Sequence, residues 1–171
     1  MLKKLSFLLV IIYVLAISGC QPGKDDDFAI YLLAQDIPAA KLSQIDIDRL
    51  ILENKPIISG DDIISYEKTD HMMELTRAAY SRVQQVFPMS VTVNGLPFVV
   101  CVGKERIYTG AFWTPISSIS YDGVVIMQPV AAKGTTIQIT LGYPAPDFFT
   151  GYDPRADGRI MRALEQDGKL K

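Results

Sequence analysis

From Leu5 to Ile17 the chain is apolar at every position but Ser6. Thirteen residues are too few to cross a bilayer, which takes about 20 in helical form. Lys3 and Lys4 precede the run and Ser18-Gly19-Cys20 follow it, the layout of an export signal. Residues 20–27 then turn polar and turn-prone and read as a solvated tether. Its Asp25-Asp26-Asp27 triplet also repels an anionic bilayer surface and so holds the domain away from it.

Past the tether the pattern alternates between short apolar runs and turn residues. Phe28 to Ala34 is nearly continuous in apolar character and predicts a strand buried on both faces, ended by Asp36-Ile37-Pro38. Residues 39–48 are ambiguous and admit one helical turn, and Leu50–Leu52 and Pro56–Ile58 suggest extended pieces. Ser59–Asp62 is a turn. Ile63–Tyr66 and Met72–Leu75 form a predicted hairpin joined by residues 68–71. Thr76 is a good N-cap for a helix through Phe87, with Ala79, Tyr80, Val83 and Phe87 at helical spacing and Pro88 as its stop.

Val91–Val93 reads as a strand leading into the Asn94-Gly95 turn, and Phe98–Val102 and Arg106–Thr109 as a second hairpin about Gly103-Lys104-Glu105. Gly123–Met127 and Thr135–Leu141 complete the strands. In the latter, Ile137, Ile139 and Leu141 share one face, which predicts one side buried and one wet. Asp153-Pro154 is expected to open a last helix, with Ile160, Met161 and Leu164 on its apolar side and Gly168 at its end. The expected fold is a single α+β domain over residues 28–171, mostly antiparallel, with two short helices.

Composition narrows the function. Removing residues 1–19 leaves 152 residues, enough for one real core, and takes the net charge from −2 to −4. No Lys/Arg block or cationic stripe appears, which argues against nucleic acid as a partner. No later stretch approaches the about 18 apolar residues of a membrane span. Besides Cys20, the chain has one cysteine, Cys101, inside the apolar run Phe98–Val102. It reads as a small buried hydrophobe, since no histidine lies nearby in sequence to lower its pKa.

The residues Ile17-Ser18-Gly19-Cys20 resemble the bacterial lipobox, which is cut before the cysteine once its sulfur carries diacylglycerol. That resemblance implies an extracytoplasmic protein held to a membrane by acyl chains on Cys20, a durable anchor because one chain alone binds only marginally. Over residues 61–128, three groups of signals appear in order: Asp61-Asp62-Ile63-Ile64, then Met73-Glu74-Leu75-Thr76 opening a helix, then Pro97 to Ile107. Ala111 and Gly123–Ile126 follow them. This order resembles the head of the large periplasmic domain of the SecD export family, and implies a shared α+β head that contacts protein chains. Gly103-Lys104 stands where that family has Asp-Gly-Lys, residues 110–115 are more aromatic, and its membrane helices have no counterpart here.

Candidate chemistry is sparse. His71 is the only histidine, so a triad or multi-His metal site is not expected, and its predicted turn suggests a solvated side chain. No C-x-x-C or H-x-x-x-H spacing, G-x-S-x-G frame or phosphate-cradling glycine loop occurs, so no catalytic residue, cofactor or metal is assigned. The segment 108–118, with Tyr108, Phe112, Trp113 and Ser117, is expected as a loop between strands. Its aromatics either cover the core or line a groove for a peptide, glycan or apolar ligand. Phe148, Phe149 and Tyr152 admit the same two readings. The leading expectation is a tethered, non-catalytic binding module whose surface centres on that loop and which meets an envelope protein or unfolded polypeptide. The alternatives are a carboxylate hydrolase using Asp61, Asp62 and Tyr66, and a purely structural envelope lipoprotein.

Overall fold

A computed structural model of the chain describes residues 27–89, 92–129 and 134–171. The export signal, Cys20, the tether up to Asp26 and Val91 of the predicted 91–93 strand lie outside the described residues. The strands are β1 Phe28–Leu32, β2 Ile58–Ser59, β3 Ile63–Glu67, β4 Met72–Leu75, β5 Leu96–Val102, β6 Glu105–Trp113, β7 Tyr121–Met127 and β8 Thr136–Tyr143. The α-helices are α1 Arg77–Met89 and α2 Gly158–Gln166. The strands form one sheet in the order β2-β1-β5-β6-β7-β8-β4-β3. Its two outermost strands, β2 and β3, are joined only by the short turn Gly60–Asp62, so the sheet curls until its edges approach each other.

The α+β, mostly antiparallel expectation stands in this coarser form, but the sheet is mixed, because β6 and β7 pair in parallel, Gly110 opposite Val124 and Trp113 opposite Met127. Parallel neighbours usually need a crossover of about a dozen residues. Here only residues 114–120 intervene, and they begin with a turn in which Ser117 N donates to Thr114 O at 3.2 Å before the chain reaches the start of β7.

The curl gives the sheet a concave and a convex face, and β5, β6 and β7 are apolar on both. Phe98, Val100, Phe112, Val124, Ile126, Ile137 and Ile139 point inward and pack with Ala79, Val83 and Phe87 of α1 and Ile160 and Leu164 of α2. Val99, Cys101, Ala111, Trp113, Tyr121 and Val125 point outward, under Leu33, Ala39, Leu42 and Leu50. The ambiguous 39–48 region resolves as two 3-10 turns, Ala39–Gln44 and Ile47–Arg49. They serve as the convex face's lid, clamped by Arg106, which donates to the carbonyls of Ile47 and Leu50.

Local chemistry explains most element ends. Thr76 caps α1 as expected, its Oγ1 accepting from Ala79 N at 3.3 Å, and the helix continues to Met89, two residues beyond Phe87. Residues 92–93 are not in a strand, although Asn94 and Gly95 do form the expected turn region, with Gly95 at φ +75°. The β5–β6 hairpin and the β3–β4 hairpin form as predicted. In β8, Ile137 and Ile139 are buried and Gln138 exposed, as the alternation requires. Gly142, at φ +62°, then flips the strand, so that Leu141 packs inward and Tyr143 outward.

The last helix starts later than Asp153 suggests. Asp157 is its N-cap, accepting from Arg159 N at 2.9 Å, while Asp153 closes a separate turn by accepting from Arg155 N at 3.0 Å. Both are Asx caps, and sequence alone does not rank them. After α2 the chain pairs with β3: Tyr66 N donates to Lys169 O at 2.7 Å and Lys171 N to Tyr66 O at 2.9 Å.

Trp113→Ala would open a large cavity beneath the convex lid. We expect it to lower the unfolding free energy by about 3–5 kcal/mol, measured by urea denaturation, while exposed Ile116→Ala stays within about 0.5 kcal/mol.

Candidate functional site

The segment expected to carry a binding loop is mostly strand. Phe112 and Trp113 end β6 instead of lying in a loop, because residues 110–113 pair with β7. Tyr108, Phe112, Trp113 and Ser117 are all buried, so none of the four is presented on the surface as expected. Phe112 packs inward against Phe98 (centroids 5.3 Å apart) and edge-on to Phe87 (5.9 Å). Trp113 faces outward and stacks on Tyr121, with ring centroids 5.1 Å apart and 8° between planes, and touches Tyr143 at 5.7 Å. Gly95 must be glycine here: a Cβ would sit 2.4 Å from the Trp113 ring.

Ser117 instead organises a surface next to this stack. Its hydroxyl donates to Val93 O at 2.7 Å and accepts from Ile119 N at 3.2 Å. The Tyr143 hydroxyl donates to Ser117 O at 3.0 Å or Pro115 O at 3.2 Å. These bonds hold the 92–94 turn against the 114–120 crossover and expose Val93, Ile116 (80 % exposed) and Ile119 together. Residues 92–97 and 114–121 contain no charged residue. Sequence reasoning missed this patch because its two halves are about 20 positions apart and are brought together by tertiary contacts such as the Ser117–Val93 bond. The isolated apolar Ile116 and Ile119 in a Ser/Pro context were the available signal.

The acid pair does not form a catalytic site. Asp61 is exposed. The Asp62 carboxylate is consumed by Ser59 N (2.8 Å), Ser59 Oγ (2.9 Å) and Arg82 (2.6 Å). Partial burial pushes its pKa up, but these bonds outweigh it and hold the pKa below the ordinary value. Tyr66 points into the core, 1 % exposed, and bonds His71. Asp61, Asp62 and Tyr66 therefore face different surroundings.

His71 is the clearest correction. It is buried, not solvated, and takes φ +51°, with its Nδ1 2.9 Å from the Tyr66 hydroxyl. Arg155 lies nearby, forked onto Asp153 (3.0 and 2.8 Å) and donating to Ile139 O at 2.8 Å. Burial lowers the His71 pKa. Arg155 and Lys68 lower it further, while Asp153 and Asp70 oppose them. Cys101 is buried under the convex lid, and burial pushes its pKa up to about 11 despite Arg106, which leaves it a thiol. Among the described residues, no three His, Cys, Asp or Glu side chains come together in a way that could hold a metal ion.

No protein-family model matches the chain, and neither the curated proteins nor the solved structures include one similar to it. The functional reading therefore rests on geometry.

A histidine whose folded pKa lies below its unfolded value binds fewer protons folded than unfolded, so stability falls as pH drops below the unfolded pKa near about 6.5. Asp62, Asp153 and Asp157 have depressed pKa values, and their contribution is lost only at lower pH, below the unfolded carboxyl value. We expect the melting temperature to fall between about pH 7 and pH 5 from His71 alone. His71→Asn, which tolerates the positive φ, should flatten that slope without changing the steeper loss at lower pH.

Proposed function

We propose that the chain is a lipid-anchored, extracytoplasmic binding module of the cell envelope, tethered through Cys20 and docking a polypeptide partner at the Val93–Ile116–Ile119 surface. The observation that carries this reading is that surface: apolar, free of charge in its two segments, and braced by the buried Ser117 and the Tyr143 hydroxyl. A rigid apolar patch loses little conformational entropy on association, which favours binding. Its position also fits a tethered module. Asp27 enters where Phe28 pairs with Val102, and Gly103 N donates to Asp27 O at 2.8 Å. Val93 and Ile116 lie three and four residues beyond the opposite end of the β5–β6 ladder, where Leu96 pairs with Phe112. The length of a seven-residue strand, about 23 Å, separates the two ends. An anchor at Cys20 would thus leave the patch facing away from the membrane.

The lipobox-like Ile17-Ser18-Gly19-Cys20 supports the anchor, and the SecD-like order of signals over residues 61–128 supports a polypeptide as partner. That stretch is not a self-contained unit, since β1 pairs with β5 and β8 sits between β7 and β4.

Two measurements test the reading. Mass spectrometry of the native protein should find Cys20 as an acylated N-terminus, and Cys20→Ser should release the protein from membranes; an unmodified Met1 would overturn the anchor. A photo-crosslinker at Ile119 should capture one discrete envelope polypeptide in cells, and Ile116→Asp should abolish the adduct with little change in melting temperature. A wild-type chain that yields no adduct would overturn the docking surface.

A further inference from the structure

A groove of about 430 Å³ opens beside the convex lid, between the 43–47 segment, the start of β7 and residues 149–154. That volume lies within the range of about 300–1,000 Å³ typical of small-ligand sites. Its polar members are unlike those of the patch above. Tyr121 lies in its wall with its ring buried (the residue is 5 % exposed), while its hydroxyl, which makes no hydrogen bond among the described residues, is not one of the buried unpaired atoms and so reaches the groove. A hydroxyl free of protein partners at a groove wall can both donate to and accept from a ligand. The neighbouring backbone makes room for this phenol, since a Cβ on Gly123 would lie 2.4 Å from the Tyr121 hydroxyl oxygen. Asp122 sits beside it, held only by a long 3.5 Å contact from Thr150 Oγ1, so its carboxylate keeps free acceptor capacity. Tyr152, 88 % exposed, presents a bare aromatic ring at the rim.

We propose that this groove binds a neutral saccharide. One sugar ring lies with its C–H face on Tyr152, and its hydroxyls bond Tyr121 Oη and the Asp122 carboxylate. The lining disfavours charged and purely apolar ligands. No lysine or arginine faces the groove, so phosphates and carboxylates find no counter-charge. Beside the groove β6 and β7 are not paired with each other, because their ladder begins at Gly110 and Val124, so an extended peptide is the rival occupant that the titration below must reject. A purely apolar chain would leave the Tyr121 hydroxyl and Asp122 desolvated and unmatched. A sugar ring answers both features, with a flat apolar face for an aromatic platform and a rim of hydroxyls that donate and accept. The site is separate from the docking patch and does not depend on the anchor.

Isothermal titration calorimetry of the full chain, in a detergent without a sugar headgroup, tests this with chitotriose and maltotriose as probes. At least one should bind saturably. Tyr152→Ala should weaken binding about tenfold and Tyr121→Phe about fivefold. Tyr152 is exposed, so its replacement leaves the melting temperature unchanged and the loss cannot be unfolding. Trp113, the only tryptophan, stacks on Tyr121, so its fluorescence should shift as the groove fills. Absence of binding by both sugars at millimolar concentration would overturn the proposal. So would affinity unchanged in both variants, or tighter binding of a neutral Gly-Ser peptide or inorganic phosphate than of either sugar.

Discussion

The three central strands β5, β6 and β7 carry apolar side chains on both faces, and the rest of the architecture answers that fact. A sheet buried on one side needs one cover, whereas these strands need two. α1 and α2 fill the concave side, and the 3-10 turns of residues 39–49 close the convex side, tied down by Arg106. The close packing leaves no slack: a Cβ on Gly110 would fall 2.4 Å from Phe98 and 2.8 Å from Val124 O. The burial of adjacent Phe112 and Trp113 on opposite faces follows directly, because successive strand residues alternate and both faces are core.

The sheet's far edge is closed by polar rather than apolar means. The C-terminal residues pair with β3, and Lys169 donates to the Gly60 carbonyl at the turn between β2 and β3. A paired edge is not open to another strand, which protects the curled sheet from edge-to-edge association. Near this seam lie Tyr66, His71 and the Arg155–Asp153 fork, polar groups whose partners are supplied internally. They read as structural, and their titration matters through stability rather than chemistry.

One aromatic stack stands behind both proposed surfaces. Trp113 rests on Tyr121 and against Tyr143. Tyr143 reaches the carbonyls that shape the 114–120 crossover, and Tyr121 lines the groove beside Asp122. Trp113 itself touches neither ligand nor partner in this arrangement. It fixes the two tyrosines that do the presenting, a role that burial makes possible and that exposure on a loop would not.

Local features were legible in the chain wherever the physics is local. Thr76 as a cap, the β3–β4 and β5–β6 hairpins, the Ile137–Ile139 face of β8 and the buried character of Cys101 all follow from nearest-neighbour chemistry, and each is found. What depended on distant segments was not legible. The parallel pairing of β6 with β7 turned a supposed loop into strand, the approach of Tyr66 and Arg155 buried His71, and Asp153 lost the cap role to Asp157. The residues by themselves thus set propensities, turns and which faces are apolar, because those depend on a few bonds along the chain. Only the tertiary structure decided which apolar faces meet, and so which side chains are left at the surface, because burial is a property of partners far apart in sequence.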